Sequence, residues 1–153
     1  MIKIDISNQT LEYYQDDCLI KSYLVSTAAN GTGELDNSFC TPTGQFRIHA
    51  KIAQDLPINS VLVGREPTGE IYSQALSTKH PDRDWILTRI LWLEGLEAHN
   101  QNTKDRYIYI HGAPDATRMG VPGSKGCIRM HNQDVIELFE KVQIGEDIVI
   151  MKP

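Results

Sequence analysis

Residues 2–6, Ile-Lys-Ile-Asp-Ile, alternate apolar and polar side chains at the two-residue period of a half-buried strand. Ser7-Asn8-Gln9 interrupts this pattern with turn-forming residues and Leu11-Glu12-Tyr13-Tyr14 resumes it, which predicts a hairpin. Cys18 to Val25 reads as a third strand, Asn30-Gly31-Thr32-Gly33 as a turn, and Pro42 with Gly44 introduces a strand through Gln45 to Ala50. From about Lys51 to Asp84 the pattern is broken by Gly64, Pro67, Gly69 and Pro81, so strand fragments and a long loop are expected there. Trp85 to Leu93 fits neither the two-residue nor the helical period. Its β-branched and aromatic content, closed by Gly95, favours a buried strand. Tyr107 to Ile110 is a short strand with His111 at its end, and Ile148 to Met151 is the last strand.

One stretch repeats at helical spacing, through Val135, Ile136, Phe139 and Val142. Asn132 is its expected N-cap, Asp134 and Glu137 place negative charge in or near the first turn, and Gly145 ends it. With no internal repeat, low-complexity tract or linker, residues 1–153 read as one domain of ordinary size. The expected fold class is mainly β: a sandwich or barrel-like packing of mixed sheets, with one main helix.

A net charge of −5 and dispersed Lys and Arg argue against a general nucleic-acid binder. No apolar run is long enough for a membrane span. The opening residues alternate from the start and do not form the basic-then-apolar run of a secretory signal, so the expected location is cytoplasmic, or periplasmic if a leader is lost from the natural protein. Three cysteines, Cys18, Cys40 and Cys127, leave at least one free thiol and favour a reducing compartment. Cys18 and Cys40, each in or beside a strand, read as small buried hydrophobes. The sequence carries no signal of oligomeric state.

Cys127 is different, because it follows Gly126 in a loop opening at Pro122-Gly123 and lies sixteen positions after His111. A thiol with a pKa of about 8.5 is only a few per cent thiolate at neutral pH, so a nucleophilic cysteine needs a base or cation beside it. His111 can supply the base, and the N–H groups of Gly126 and Cys127 are candidate donors to an oxyanion. His131, four positions after Cys127, is an alternative base; His49, His80 and His99 have no supporting context. A metal site is disfavoured by the lack of a C-x-x-C pair or an H-E-x-x-H segment, and no cofactor is expected. The run Gly120 to Gly126 has Ser before Lys and Gly after it, unlike a phosphate-binding loop. Arg118, Lys125 and Arg129 gather positive charge around the cysteine and would suit a substrate bearing carboxylates.

These residues resemble the L,D-transpeptidase (YkuD) domain, in which a histidine and a gap of this size precede a Ser/Thr-His-Gly-Cys segment ending in Asn or Arg. His111, Ser124, Gly126, Cys127 and Arg129 occupy the matching positions. The opening hairpin (2–14 and 21–27), Gly31-Thr32-Gly33, Thr41 to Phe46 and Tyr107 to Gly112 extend the resemblance over nearly the whole chain. Lys125 departs from it, standing where the pattern has a second histidine. The resemblance implies that the Gly112 carbonyl orients the ring of His111. It implies cleavage of the bond between the third residue, commonly diaminopimelate, and D-Ala in a peptidoglycan tetrapeptide or muropeptide. Substrate contacts are expected from Arg129, Ser124, Lys125, Arg118 and Arg89. The expected reaction is L,D-carboxypeptidase or exchange activity on soluble muropeptides. The alternatives are cell-wall cross-linking and binding of peptidoglycan fragments without turnover.

Overall fold

Strand β1 (Ile2–Asp5) runs parallel to β10 (Asp147–Met151), with Ile2 opposite Ile148 and Ile4 opposite Ile150, so the two ends of the chain share one patch of sheet. The structure, a computed structural model, describes residues 1–153. β2 (Thr10–Gln15) and β3 (Cys18–Ser26) continue the meander from β1, and β4 (Gly44–Ile52) flanks β10 on its other side. β7 (Ile86–Gly95), β8 (Tyr109–Gly112) and β9 (Ile128–Met130) complete the ring, because β9 pairs with β3 and β7 pairs with β4. The strand order β4-β10-β1-β2-β3-β9-β8-β7 therefore closes on itself as a barrel-like sheet. β1–β10 and β8–β9 are its parallel pairs. A hairpin of β5 (Ser60–Val63) and β6 (Glu66–Ile71) branches from the start of β7.

The strands form where the sequence alternates, since period-two burial sends every second side chain to one face. Ile2, Ile4, Leu11, Phe46, Ile48, Ile148 and Ile150 meet inside the ring in a cluster of 21 buried residues. Helix α2 (Asn132–Lys141) packs into the same cluster through Val135, Leu138 and Phe139, with Val142 just past its end. These positions are spaced i, i+3, i+4 and i+7, the stripe of an amphipathic helix facing a core. No helix is long and apolar enough to cross a membrane.

Several local expectations are corrected. Asn132 is the first residue of α2 and not its cap; His131 is the N-cap, without a side-chain cap bond, and the Asn132 amide is used elsewhere. Leu138 is fully buried where Ile136 is half-exposed. Cys18 is exposed and Cys40 half-exposed, so neither belongs to the core. Residues 51–84 contain the β5–β6 hairpin and a short helix α1 (Gln74–Lys79), capped by Ser73 Oγ accepting from Leu76 N–H. α1 buries no residue completely, which leaves no strong apolar stripe to find. Tyr107 adopts a left-handed φ of 58°, and β8 begins only at Tyr109, which places His111 within the strand.

The misfit of 85–93 to either period has a local cause. Pairing between β7 and β8 jumps from Leu87–Gly112 to Ile90–His111, and Thr88 has φ of 76°. Thr88 and Arg89 are therefore the extra residues of a bulge; being two, they leave the inside-outside phase unchanged, and burial of every residue from Leu87 to Leu91 masks the two-residue period.

Candidate active site

β8 and β9 are adjacent and parallel, with His111 opposite Arg129 and Ile110 opposite Ile128. Side chains alternate along a strand, so Tyr109 and His111 share a face of β8, and Cys127, two residues before Arg129, reaches that face as their diagonal neighbour. Cys127 packs there against the small cluster of Leu62, Ile90 and Tyr109, and Ile90 is the β7 residue opposite His111. Parallel pairing thus brings together a histidine and a cysteine far apart in the chain.

His111 is 1% exposed. Its Nδ1 lies 2.6 Å from the carbonyl oxygen of Gly112. A carbonyl only accepts, so Nδ1 carries the proton and Nε2 keeps a free lone pair. Burial pulls the imidazole down from 6.5 to about 4, against upward contributions from the Gly112 carbonyl and Asp84; Arg129 adds to the depression. The ring is therefore neutral at pH 7. The Gly112 backbone is backed by the Asn132 amide and the Leu87 carbonyl, leaving no room for a Cβ. Asn132 organises this region: its Oδ1 accepts from Thr88 Oγ at 2.6 Å, and its Nδ2 donates to the Ala113 carbonyl and to Asn59 and Asp115.

Cys127 Sγ accepts from Tyr109 N–H at 3.3 Å and donates to the Tyr107 carbonyl at 3.4 Å. Burial pushes the thiol up to about 12; the Tyr109 N–H, Arg129 and Arg106 oppose this, while Asp84 reinforces it. The resting pair is therefore a neutral thiol and a neutral imidazole.

The loop before β9 is rigidly tied. Ser124 Oγ donates to the Cys127 carbonyl at 2.5 Å and accepts from Gly126 N–H at 3.2 Å, while Thr41 Oγ donates to the Gly126 carbonyl at 2.9 Å. Gly126 has φ of +127°, a conformation that favours glycine, and an added Cβ would lie 3.2 Å from the Cys40 carbonyl. Ser124 occupies the Gly126 N–H that was expected to serve an oxyanion. The Cys127 N–H has no protein acceptor and remains free for that purpose.

The structure separates the expected substrate contacts. Arg129 lies beside His111, paired with Asp84 at 3.0 Å and donating to the Gly123 carbonyl. Lys125 is exposed and lines a cavity of about 450 Å³ with Asp36, Asn102, Asp105, Arg106 and Tyr107. Arg118 is exposed in the loop after β8. Ser124 is buried, and its side-chain bonds are within its own loop. Arg89 does not join the group: it lies on the face of β7 opposite that of its neighbour Ile90, toward α2, 5.7 Å from the Phe139 ring. His131 stands at the N-cap of α2, with no hydrogen bond from its ring to the helix.

Sequence reasoning missed Asp84, Arg106, Tyr109, Asn132 and Arg65. Arg65, at the β5–β6 turn, lies over the rings of Trp92 and Tyr107 at 4.6 and 4.7 Å and donates to Tyr109 Oη at 2.9 Å. It pins the hairpin beside the strand that holds the thiol. Gly64-Arg65, both left-handed, is a hairpin-turn signal that could have located this turn, though not what it touches.

A family model for the L,D-transpeptidase catalytic domain, YkuD, matches residues 1–151. YqjB of Bacillus subtilis, which bears the name of an L,D-transpeptidase, is 28% identical over 119 residues, covering 78% of this chain and 55% of that protein. YkuD of Bacillus licheniformis, similarly named, is 27% identical over 149 residues, covering 97% of this chain and 64% of that protein. The chain thus spans somewhat over half the length of these relatives. The same fold occurs in the L,D-transpeptidase of Xylanimonas cellulosilytica, with a TM-score of 0.63 at 15% identity, over 98% of this chain and 59% of the other. L,D-transpeptidase 3 of Mycobacterium tuberculosis has a TM-score of 0.61 at 16% identity, over 99% of this chain and 60% of the other.

Proposed function

This chain belongs to the L,D-transpeptidase catalytic domain family, and from that premise we propose that it cleaves the bond between the third residue and D-Ala of peptidoglycan stem tetrapeptides through a thioester on Cys127. The observation that carries the reading is the placement, on one sheet face, of a thiol and a neutral histidine whose Nε2 has no hydrogen-bond partner. Nε2 of His111 takes the thiol proton as sulfur attacks the peptide carbonyl. Charge developing on the carbonyl oxygen is held by the Cys127 N–H. The C–N bond then breaks, His111 returns the proton to the departing amine, and a thioester is left. Water or an amine, deprotonated by the same imidazole, attacks the thioester and restores the thiol.

The adjoining cavity supports a stem peptide as substrate. Arg106 and Lys125 suit carboxylates, and Asp36 and Asp105 suit an ammonium group, so the two ends of a diaminopimelate side chain find opposite charges. The three unpaired cysteines favour a reducing compartment and therefore soluble muropeptides, with water or a free D-amino acid as acceptor. The second reading, cross-linking of two stems, is favoured by the transpeptidase names of the relatives. Incubation with a free tetrapeptide and mass analysis separates them. Tripeptide product supports hydrolysis, a tetrapeptide with a replaced last residue supports exchange, and dimers support cross-linking. Cys127→Ala abolishes all three, and wild-type turnover in that variant overturns the mechanism.

A further inference from the structure

Arg89 is 8% exposed, yet its guanidinium has no carboxylate within ion-pair distance. A guanidinium whose N–H groups face open space in place of protein acceptors is a ready partner for an anion. Only Nη1 is engaged, donating to the Leu56 carbonyl at 2.9 Å and the Thr88 carbonyl at 2.7 Å. A guanidinium carries five N–H groups in a fixed fork, so Nε and Nη2 are left without protein acceptors. The group lines a small open cavity of about 180 Å³ together with Lys51, Gln54, Asp55, Phe139 and Glu140.

A second cation enters the same cavity. Lys51 Nζ stands 4.4 Å from the centroid of the Phe139 ring, donates to the Val142 carbonyl at 2.8 Å and forms no ion pair. Burial lowers its pKa, against an upward contribution from Glu140. Two cations thus converge over one aromatic ring, with spare donors facing a space of small-molecule size. The exposed carboxylates of Asp55 and Glu140 line the same cavity.

We infer that Arg89 and Lys51 form a binding site for a small oxyanion, a carboxylate or a phosphate. The site is on the α2 side of the sheet, opposite the face that carries His111 and Cys127. The free Nε and Nη2 of Arg89 offer a two-pronged fork to a pair of oxygens, and Lys51 supplies the third donor. An occupant would also brace the Thr88–Arg89 bulge, whose Thr88 hydroxyl holds Asn132 behind the histidine strand.

The test is calorimetric titration of the whole chain with inorganic phosphate and, separately, with acetate, each at ionic strength matched by sodium chloride. Saturable binding of either ion is expected, and the ion that binds more tightly identifies the oxyanion class. Lys51→Gln should weaken it about tenfold, the loss expected for one charge-assisted hydrogen bond. Lys51 is half-exposed, so that variant keeps its fold even if Arg89→Lys does not. Lys125→Gln, in the cavity beside Cys127, should leave the binding unchanged. Binding abolished by Lys125→Gln and untouched by Lys51→Gln, or no saturable binding of either ion, overturns the inference.

Discussion

Alkylation of Cys127 by iodoacetamide, followed by mass in a Cys18→Ser, Cys40→Ser background, should be slow at neutral pH and climb steeply into the alkaline range. Burial holds this thiol at about 12 against an ordinary 9.0. Relative to an unperturbed cysteine, that leaves roughly a thousandfold less thiolate at pH 7. A more basic thiolate is intrinsically more nucleophilic, with a Brønsted coefficient of about 0.5, which restores roughly thirtyfold and leaves a net rate deficit of about thirtyfold. Asp84→Asn gives the direction a second check. It removes a carboxylate that raises the thiol and frees Arg129, whose guanidinium lowers it, so alkylation near pH 8 should quicken. Arg129→Gln should slow it. A profile that levels off below pH 8.5, or an Asp84→Asn variant that reacts more slowly than the parent, refutes the reasoning and points to a resting thiolate–imidazolium pair.

Asn132→Ala should destabilise the fold by about 2–3 kcal/mol in denaturant unfolding, because it strips buried partners from the Thr88 hydroxyl and the Ala113 carbonyl at once; a loss under 0.5 kcal/mol, on the order of an ordinary surface change, would show that water replaces the amide without cost. The buried imidazole of His111 makes stability pH-dependent, since the unfolded chain takes up its proton near 6.5 and the folded chain only near 4. Between those values the unfolded state binds more protons, so wild-type stability is full above pH 6.5 and falls by about 3 kcal/mol relative to His111→Gln as the pH drops to 4. Parallel stability curves for the two proteins across that range would contradict it.

The sequence by itself determined those elements whose burial follows a simple local period. Ile2-Lys3-Ile4 and Val149-Ile150 alternate because one face meets the core and the other meets water, and Val135, Phe139 and Val142 repeat because α2 lays one stripe on that core. The glycine-flanked Cys127 and the strand-borne His111 were visible for a chemical reason: few settings give a thiol both an open backbone and a histidine at fixed spacing. Only the tertiary structure decided what depends on pairing between distant residues. The closure of β4 on β7, the parallel seating of β8 beside β9 and the Asp84–Arg129 ion pair join segments whose local patterns carry no record of one another. The sharpest case is Arg89. Its side chain faces away from the histidine and toward α2 because its neighbour Ile90 is the residue set opposite His111, and that register is fixed only by the fit of β7 against β8. The protonation states were hidden for the same reason, because a thiol and an imidazole become neutral through desolvation, and the burial of a side chain is a property of the assembled fold.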